Sequence, residues 1–216
     1  MPRSKEGLAR LVHREGVSPR LVEAFRAIDR ADFVPAGSRS EAYRDRPVGL
    51  PERQTTSQPT LIARMIDVAE PGKDDRVLEV GTGFGFQTAL LAQLVERVVS
   101  IDRHRSLTDA AAGNLARAGV KDVVLLTGDG WEGAPEYAPF DAIIVAAAAP
   151  EVPRALADQL AEGGRLVIPV STFAGDEVLL FGKADGVLQR RRLVTPARFV
   201  PLVQERSRRP DPENGS

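Results

Sequence analysis

The run Arg76-Val77-Leu78-Glu79-Val80 leads into Gly81-Thr82-Gly83-Phe84-Gly85 and then into Gln87-Thr88-Ala89-Leu90-Leu91-Ala92. The first block reads as a buried strand and the last as an apolar helix, with three alternating glycines between them. Glycine lets the backbone turn tightly and keeps a Cβ out of the path of a ligand. A strand that passes through such a turn into a helix opens a doubly wound α/β nucleotide site. The constraint reaches the whole chain, because this unit needs parallel partner strands and helices on both sheet faces.

The spacing of the glycines narrows the ligand. A dinucleotide fingerprint reads G-x-G-x-x-G, whereas here the pattern is E-x-G-x-G-x-G. Glu79, two residues before the first glycine, would repel a pyrophosphate. It suits a ligand with a positive end, such as the amino group and sulfonium of S-adenosylmethionine. Asp102 ends the next apolar run, Val98-Val99-Ser100-Ile101, where an acid commonly takes ribose hydroxyls. Gly128-Asp129-Gly130 follows Val123-Val124-Leu125-Leu126 and offers an acid to an adenine amino group. Singly these are weak signals: a glycine turn can be a plain strand–helix corner, and Asp102 a helix N-terminal acid. In order, each at a strand end, they favour a cofactor site formed by Glu79, Gly81, Thr82, Gly83, Gly85, Asp102, Gly128 and Asp129.

The 216 residues are 43% apolar, which suits one domain with one core. The net charge of -1 and the absence of a basic stripe interleaved with aromatics make nucleic acid a poor partner. There is no cysteine, so disulfides, thiolate nucleophiles and Cys-ligated metals are excluded. The first residues, Met1-Pro2-Arg3-Ser4-Lys5-Glu6-Gly7, lack the apolar core of a signal peptide, and no apolar run spans a bilayer. A cytoplasmic monomer without membrane contact is the expectation. His13 and His104 are the two histidines, on different predicted helices, so neither a metal site nor a Ser–His–acid triad is expected. Both are read as solvated.

Three stretches organise the chain. Residues 1–58 hold N-terminal helices and an irregular loop; 59–203 form the α/β core; 204–216, charged and proline-containing, form a disordered tail. Leu8, Leu11 and Val12 sit at helical spacing, stopped by Gly16. Ser18-Pro19 opens a second helix with Leu21, Val22, Phe25 and Ile28 on one face. Residues 36–58 show no periodicity. A helix follows over 60–69. Strands are predicted at 76–80, 97–102, 122–127, 140–146 and 164–170, with helices near 86–95, 105–118 and 153–161. Residues 177–183 and 187–194 then form a hairpin about Ala184-Asp185-Gly186. The fold class is therefore a doubly wound, mostly parallel sheet with an N-terminal helical segment and a C-terminal antiparallel hairpin.

Five segments carry a resemblance to a known family: Ala27-Ile28-Asp29-Arg30-Ala31-Asp32-Phe33-Val34-Pro35; Ala42-Tyr43-Arg44-Asp45-Arg46-Pro47 with Gln54-Thr55-Thr56-Ser57-Gln58-Pro59; the glycine turn; Gly128-Asp129-Gly130-Trp131-Glu132-Gly133; and Arg198-Phe199-Val200-Pro201-Leu202. Together they resemble the protein-L-isoaspartate O-methyltransferase family over nearly the whole chain. The glycine turn is common to many methyltransferases; the Gln54 and Arg198 segments are far more specific. One loop departs from the pattern. The family's leucine, proline, isoleucine, glycine, any residue, glycine is replaced by Val48, Gly49, Leu50, Pro51, Glu52 and Arg53, which loses both glycines. Val203 also stands where the family often has a threonine near the cofactor.

The resemblance implies transfer of a methyl group from S-adenosylmethionine to the free α-carboxylate of an L-isoaspartyl residue in damaged proteins or peptides. The ester then cyclises to a succinimide, and hydrolysis returns some aspartate. A carboxylate is already ionised at neutral pH, so a strong base is unnecessary, and alignment in a dry site carries the rate. Ser57 is the candidate hydroxyl that orients the carboxylate, or else an N-cap of the following helix. Thr55 supports it, while Gln54, Thr56 and Arg198 face the acceptor and Gln58 steadies the loop. Arg53 is a solvated cation or, more boldly, an attractor of acidic peptides. Trp131 is expected to pack, and Arg190-Arg191-Arg192 to guard a sheet edge. Competing readings are a related enzyme that esterifies ordinary aspartate in a particular peptide, a small-molecule or nucleic-acid methyltransferase, and a cofactor-binding module without catalysis.

Overall fold

The computed structural model describes residues 4–204. The tail expected to be disordered therefore lies outside the described residues beyond position 204. Two helices begin the chain, α1 (Lys5–Arg14) and α2 (Pro19–Ala27). The Ser4 side chain caps α1 by accepting from the Gly7 amide, and Pro19 opens α2 at the position where a missing N–H costs nothing. Two short 3₁₀ turns, Arg30–Phe33 and Ala36–Glu41, carry the chain into a small antiparallel ribbon of β1 (Val48–Gly49) and β2 (Thr55–Thr56). The segment expected to be featureless is thus built of turns and one ribbon. Helix α3 (Pro59–Ala69) follows.

From there the chain alternates: β3 (Arg76–Val80), α4 (Phe86–Ala92), β4 (Arg97–Asp102), α5 (Arg105–Arg117), β5 (Val123–Thr127), β6 (Phe140–Val145), α6 (Arg154–Gln159) and β7 (Leu160–Thr172). The hairpin of β8 (Gly175–Ala184) and β9 (Val187–Ala197) completes one seven-stranded sheet in the order β5-β4-β3-β6-β7-β8-β9. Strands β3 to β7 are parallel and the last two pairings are antiparallel. β7 starts earlier than its apolar run suggests, and its pairing with β6 shifts register between Phe140 and Ala142.

Strand alternation divides the core. Val77, Val98, Ile144 and Val167 face a cluster filled by Leu8, Phe25, Ile62 and Leu90 of α1 to α4. Leu78, Val80, Ile143 and Ile168 face the other side, with Leu156 of α6. Edge strand β9 exposes Arg190, Arg191 and Arg192, and Arg190 pairs with Glu177 at 3.5 Å. Among the described residues no helix is long and apolar enough to cross a membrane.

Candidate active site

Strand order reverses between β4-β3 and β6, and ligands of open α/β sheets bind outside the carboxyl ends of the strands at such a point. A cavity of about 430 Å³ lies there. Gly81 and Gly83 form its floor with φ of 100° and 55°, a region that L-residues with a Cβ avoid. A Cβ on Gly81 would lie 3.2 Å from Ala146 Cβ, so β6 and the turn approach as closely as glycine allows. Gly130 closes another side, where a Cβ would meet Val80 at 2.5 Å. The far rim is the segment 200–202. Ala148 N–H donates to Val200 O at 2.9 Å, and Leu202 N–H donates to Ala148 O at 2.7 Å.

Asp102 stands at the tip of β4, on the cavity wall. Its Oδ2 accepts from Gly83 N–H and its Oδ1 from His104 N–H, each at 2.9 Å. One carboxylate thereby locks the glycine turn to the start of α5. His104, expected to be solvated, instead lines the cavity and comes within 3.9 Å of Glu52.

Glu79 is placed differently from the expectation. It does not line the cavity, because alternation along β3 turns it to the α4 side of the sheet, opposite to Val80. It is fully buried, and Oε2 accepts from Thr88 Oγ1 and, at 2.6 Å, from Ser100 Oγ. Ser100 Oγ in turn lies 2.6 Å from Thr82 Oγ1, and Thr82 does reach the cavity. Oε1 has no hydrogen-bond partner among the described residues. Burial pushes the Glu79 carboxyl up to about 7, against the hydrogen bonds of Ser100 and Thr88, which favour the ionised form.

The other wall is irregular backbone. Residues 52–57 line the first cavity, and Thr55 and Ser57 also line a second one of about 460 Å³. Ala146 and Val200 are likewise shared, so the two cavities meet at Ser57. Ser57 is not the cap of α3. The N-cap position is Gln58, which makes no side-chain cap bond. Asp45 does the capping from fifteen residues upstream: Oδ1 accepts from Thr60 N–H at 3.0 Å, and Oδ2 from Thr60 Oγ1 and Gln58 Nε2, both at 2.9 Å. Behind this loop lies Arg30, 1% exposed. Its Nη1 donates to Ala42 O and Arg44 O, and its Nη2 to Arg46 O and Ser57 O, over 2.9 to 3.2 Å. Burial lowers its pKa to about 10, with Asp45 opposing.

The loop that departs from the family pattern carries a visible cost. Glu52 and Arg53 hold φ of 58° and 57°, left-handed values that glycine adopts freely. Glu52 is tied across the cavity by Ser106 Oγ at 2.8 Å, and Leu50 reaches to 3.3 Å of where a Gly83 Cβ would stand.

The expected site residues therefore fall into three groups. Gly81, Thr82, Gly83, Asp102, Gln54, Thr55, Thr56 and Ser57 meet at the first cavity. Arg198 lines the second, on the far side of Ser57. Glu79, Gly85, Gly128 and Asp129 lie off both cavities. Gly85 is the left-handed N-cap of α4, packed on Ala111 and Leu115, and Asp129 accepts from Trp131 N–H. Trp131 packs half-buried in the second core cluster. Arg30 and Asp45 were assigned no role from sequence, although each sits within a segment that carries the resemblance. Among the described residues no group of three or more His, Cys, Asp or Glu side chains could hold a metal ion.

Comparison with known proteins gives a consistent result. Residues 3–207 match the family described as protein-L-isoaspartate(D-aspartate) O-methyltransferase. A Koribacter versatilis protein-L-isoaspartate O-methyltransferase is 46% identical over 184 residues, 85% of this chain and 82% of that protein. One from Pseudomonas paraeruginosa is 43% identical over 203 residues, 93% of this chain and 96% of the other. A solved protein-L-isoaspartate O-methyltransferase structure superposes with a TM-score of 0.83 at 30% identity, covering 93% of this chain and 66% of that one. A Plasmodium falciparum protein crystallised with S-adenosyl-L-homocysteine superposes with a TM-score of 0.80 at 23% identity, covering 94% and 100%, which speaks for the fold alone.

Proposed function

Since this chain belongs to the protein-L-isoaspartate(D-aspartate) O-methyltransferase family, we propose that its first cavity takes S-adenosylmethionine and its second the acceptor, with Ser57 at their junction. The enzyme is an S-adenosylmethionine-dependent methyltransferase that esterifies the free α-carboxylate of L-isoaspartyl residues in damaged proteins. The observation that carries the assignment of cavities is the sharing of Thr55, Ser57, Ala146 and Val200 between them. The first cavity fits a nucleoside donor. Its volume lies within the roughly 300–1,000 Å³ of small-molecule sites, its floor is a cradle that Cβ atoms would fill, and Asp102 supplies acceptor oxygens at a strand tip.

Bound there, the donor supplies a methyl group on a sulfonium, which the acceptor oxygen takes as an ester. The chain's own part is placement. Gly81, Thr82 and Gly83 hold the donor close to the sheet, Asp102 offers its remaining lone pairs to hydroxyls, and Glu79 acts from behind through Ser100 and Thr82. Gly128 and Asp129 serve by shaping the turn that presents Gly130, and Gly85 serves by starting α4. Ser57 donates to the acceptor carboxylate, with Thr55 beside it and Gln54 and Thr56 on the donor side of the same wall. Arg198, exposed and without an ion-pair partner among the described residues, meets the acceptor chain in the second cavity. No base is required, since a carboxylate is ionised at neutral pH. The apolar rings of Phe33 and Phe86 keep the first cavity dry at its base, where charge is lost as reaction proceeds.

Part of the same proposal is a cytoplasmic monomer in which 1–58 and 59–203 unfold together, because α1 to α3 share one apolar cluster with the sheet. A single calorimetric transition and a monomeric mass by light scattering are the expected outcomes. The decisive experiment gives labelled S-adenosylmethionine to matched isoaspartyl and aspartyl peptides and measures base-labile methanol. Turnover of the isoaspartyl peptide alone supports the reading; preference for the aspartyl peptide would overturn it in favour of a carboxyl methyltransferase that esterifies ordinary aspartate in a specific peptide.

A further inference from the structure

Arg30 is the one fully buried guanidinium among the described residues, and no carboxylate touches it. A buried cation must be compensated by hydrogen bonds. Here four main-chain carbonyls do this for the two Nη groups, three from residues 42–46 and one from Ser57, while Nε meets no acceptor among the described residues and the guanidinium lies 5.8 Å over the Phe86 ring. The fork of N–H groups on one rigid plane fixes all four carbonyls relative to one another, as a flexible ammonium could not. Two further facts give this a direction. The 42–46 loop carries Asp45, whose carboxylate starts α3 immediately after Ser57. Among the described residues the Ser57 hydroxyl makes no hydrogen bond, so its main chain is what places it at the meeting of the two cavities.

We infer that Arg30 is the positioning residue of the acceptor site: it clamps the 42–46 loop to the Ser57 carbonyl and so aims the Ser57 hydroxyl. This rests on the methyl-transfer reading and adds a residue that touches neither donor nor acceptor. None of the four carbonyls belongs to the glycine turn or to Asp102, so the clamp meets the donor chamber only through Ser57 itself and the Phe86 ring beneath the guanidinium.

The test uses the full chain with Arg30→Lys and Arg30→Met, alone and in a Ser57→Ala background. For each we would measure the melting temperature, the affinity for S-adenosyl-L-homocysteine by calorimetry, and kcat and KM for an isoaspartyl peptide. A misplacement of about 1 Å at a reacting group costs on the order of 100-fold. The expectation is a fall in peptide kcat/KM of roughly 10- to 100-fold for both variants, with product-analogue affinity within about threefold of the parent. In the Ser57→Ala background the same Arg30 changes should cost almost nothing further. The inference is overturned if Arg30→Lys keeps full kcat/KM, if its cost is the same with and without the Ser57 hydroxyl, or if both variants fail to fold. Absence of turnover in the parent enzyme would instead sink the methyl-transfer reading, whatever Arg30 does.

Discussion

The two walls of the site are each backed by one buried ionisable group, and they are built in opposite ways. Behind the donor wall is an acid, Glu79, raised to about 7. Behind the acceptor wall is a cation, Arg30, lowered to about 10. The donor wall is made of strand tips and one glycine turn, so the sheet register fixes its geometry. The acceptor wall is made of loop backbone between residues 42 and 57, held by long side chains that reach main-chain atoms. A wall set by register tolerates little change in backbone, whereas a wall set by side chains can be retuned one residue at a time. The two lost glycines of the family pattern, at Pro51 and Arg53, fall in the same irregular backbone, at its end bordering the donor cavity.

The comparison breaks most readily at Asp102. Asp102→Ala removes the acceptor for Gly83 N–H and His104 N–H, each orphan costing about 1–3 kcal/mol. Donor affinity should fall by about 100-fold or more by calorimetry, with peptide KM little changed; unchanged affinity would remove Asp102 from the donor wall.

The next effect is in pH. The folded pKa of Glu79 stands above its unfolded value of 4.5, so the folded state binds the proton more tightly. Its favourable contribution is complete below about pH 4.5 and is lost as pH rises through about 7. The loss amounts to about 3 kcal/mol. Glu79→Gln should therefore flatten the decline in stability between these limits, read by denaturant titration at several pH values. An equal decline in both proteins would contradict it. Arg30, which stays charged throughout this window, should show no such slope.

Asp45→Ala tests the acceptor wall alone. Loss of a helix cap costs about 0.5–2 kcal/mol, and chemical denaturation should show it together with a raised peptide KM and an unaltered donor affinity. The smallest effect is at Arg53. A left-handed L-residue costs roughly 1–2 kcal/mol, so Arg53→Gly should raise the melting temperature by a few degrees at most. If peptide KM stays constant in that variant, Arg53 is not an attractor of acidic peptides, which agrees with its place on the donor side.

The same contrast explains what could be read beforehand. The strand, turn and helix at 76–92, Asp102 at a strand tip and the C-terminal hairpin follow from periodicity and glycine spacing, which are local. The motif gives the position of Glu79 along the chain but not its face; alternation counted from Val80 turns it toward α4. Sequence leaves Ser57 open between an acceptor-orienting hydroxyl and an N-cap, because serine before Gln-Pro is a good local cap; the structure gives the capping to Asp45 across the loop. The burial of Arg30 has no local signal beyond its place in a segment that carries the resemblance, since an arginine between Asp29 and Asp32 looks like a surface charge until the fold buries it.

The rim contributed by residues 200–202 has a consequence for the order of assembly. This short ribbon is hydrogen-bonded to Ala148 and borders the donor chamber, yet it follows every strand of the sheet and every helix among the described residues. During synthesis the sheet can close and the glycine turn can form while the chamber still stands open on one side. Ligand capture is thereby deferred until this ribbon has left the ribosome behind the whole sheet, and a chain cut just before Val200 would have a complete sheet around an unsealed room.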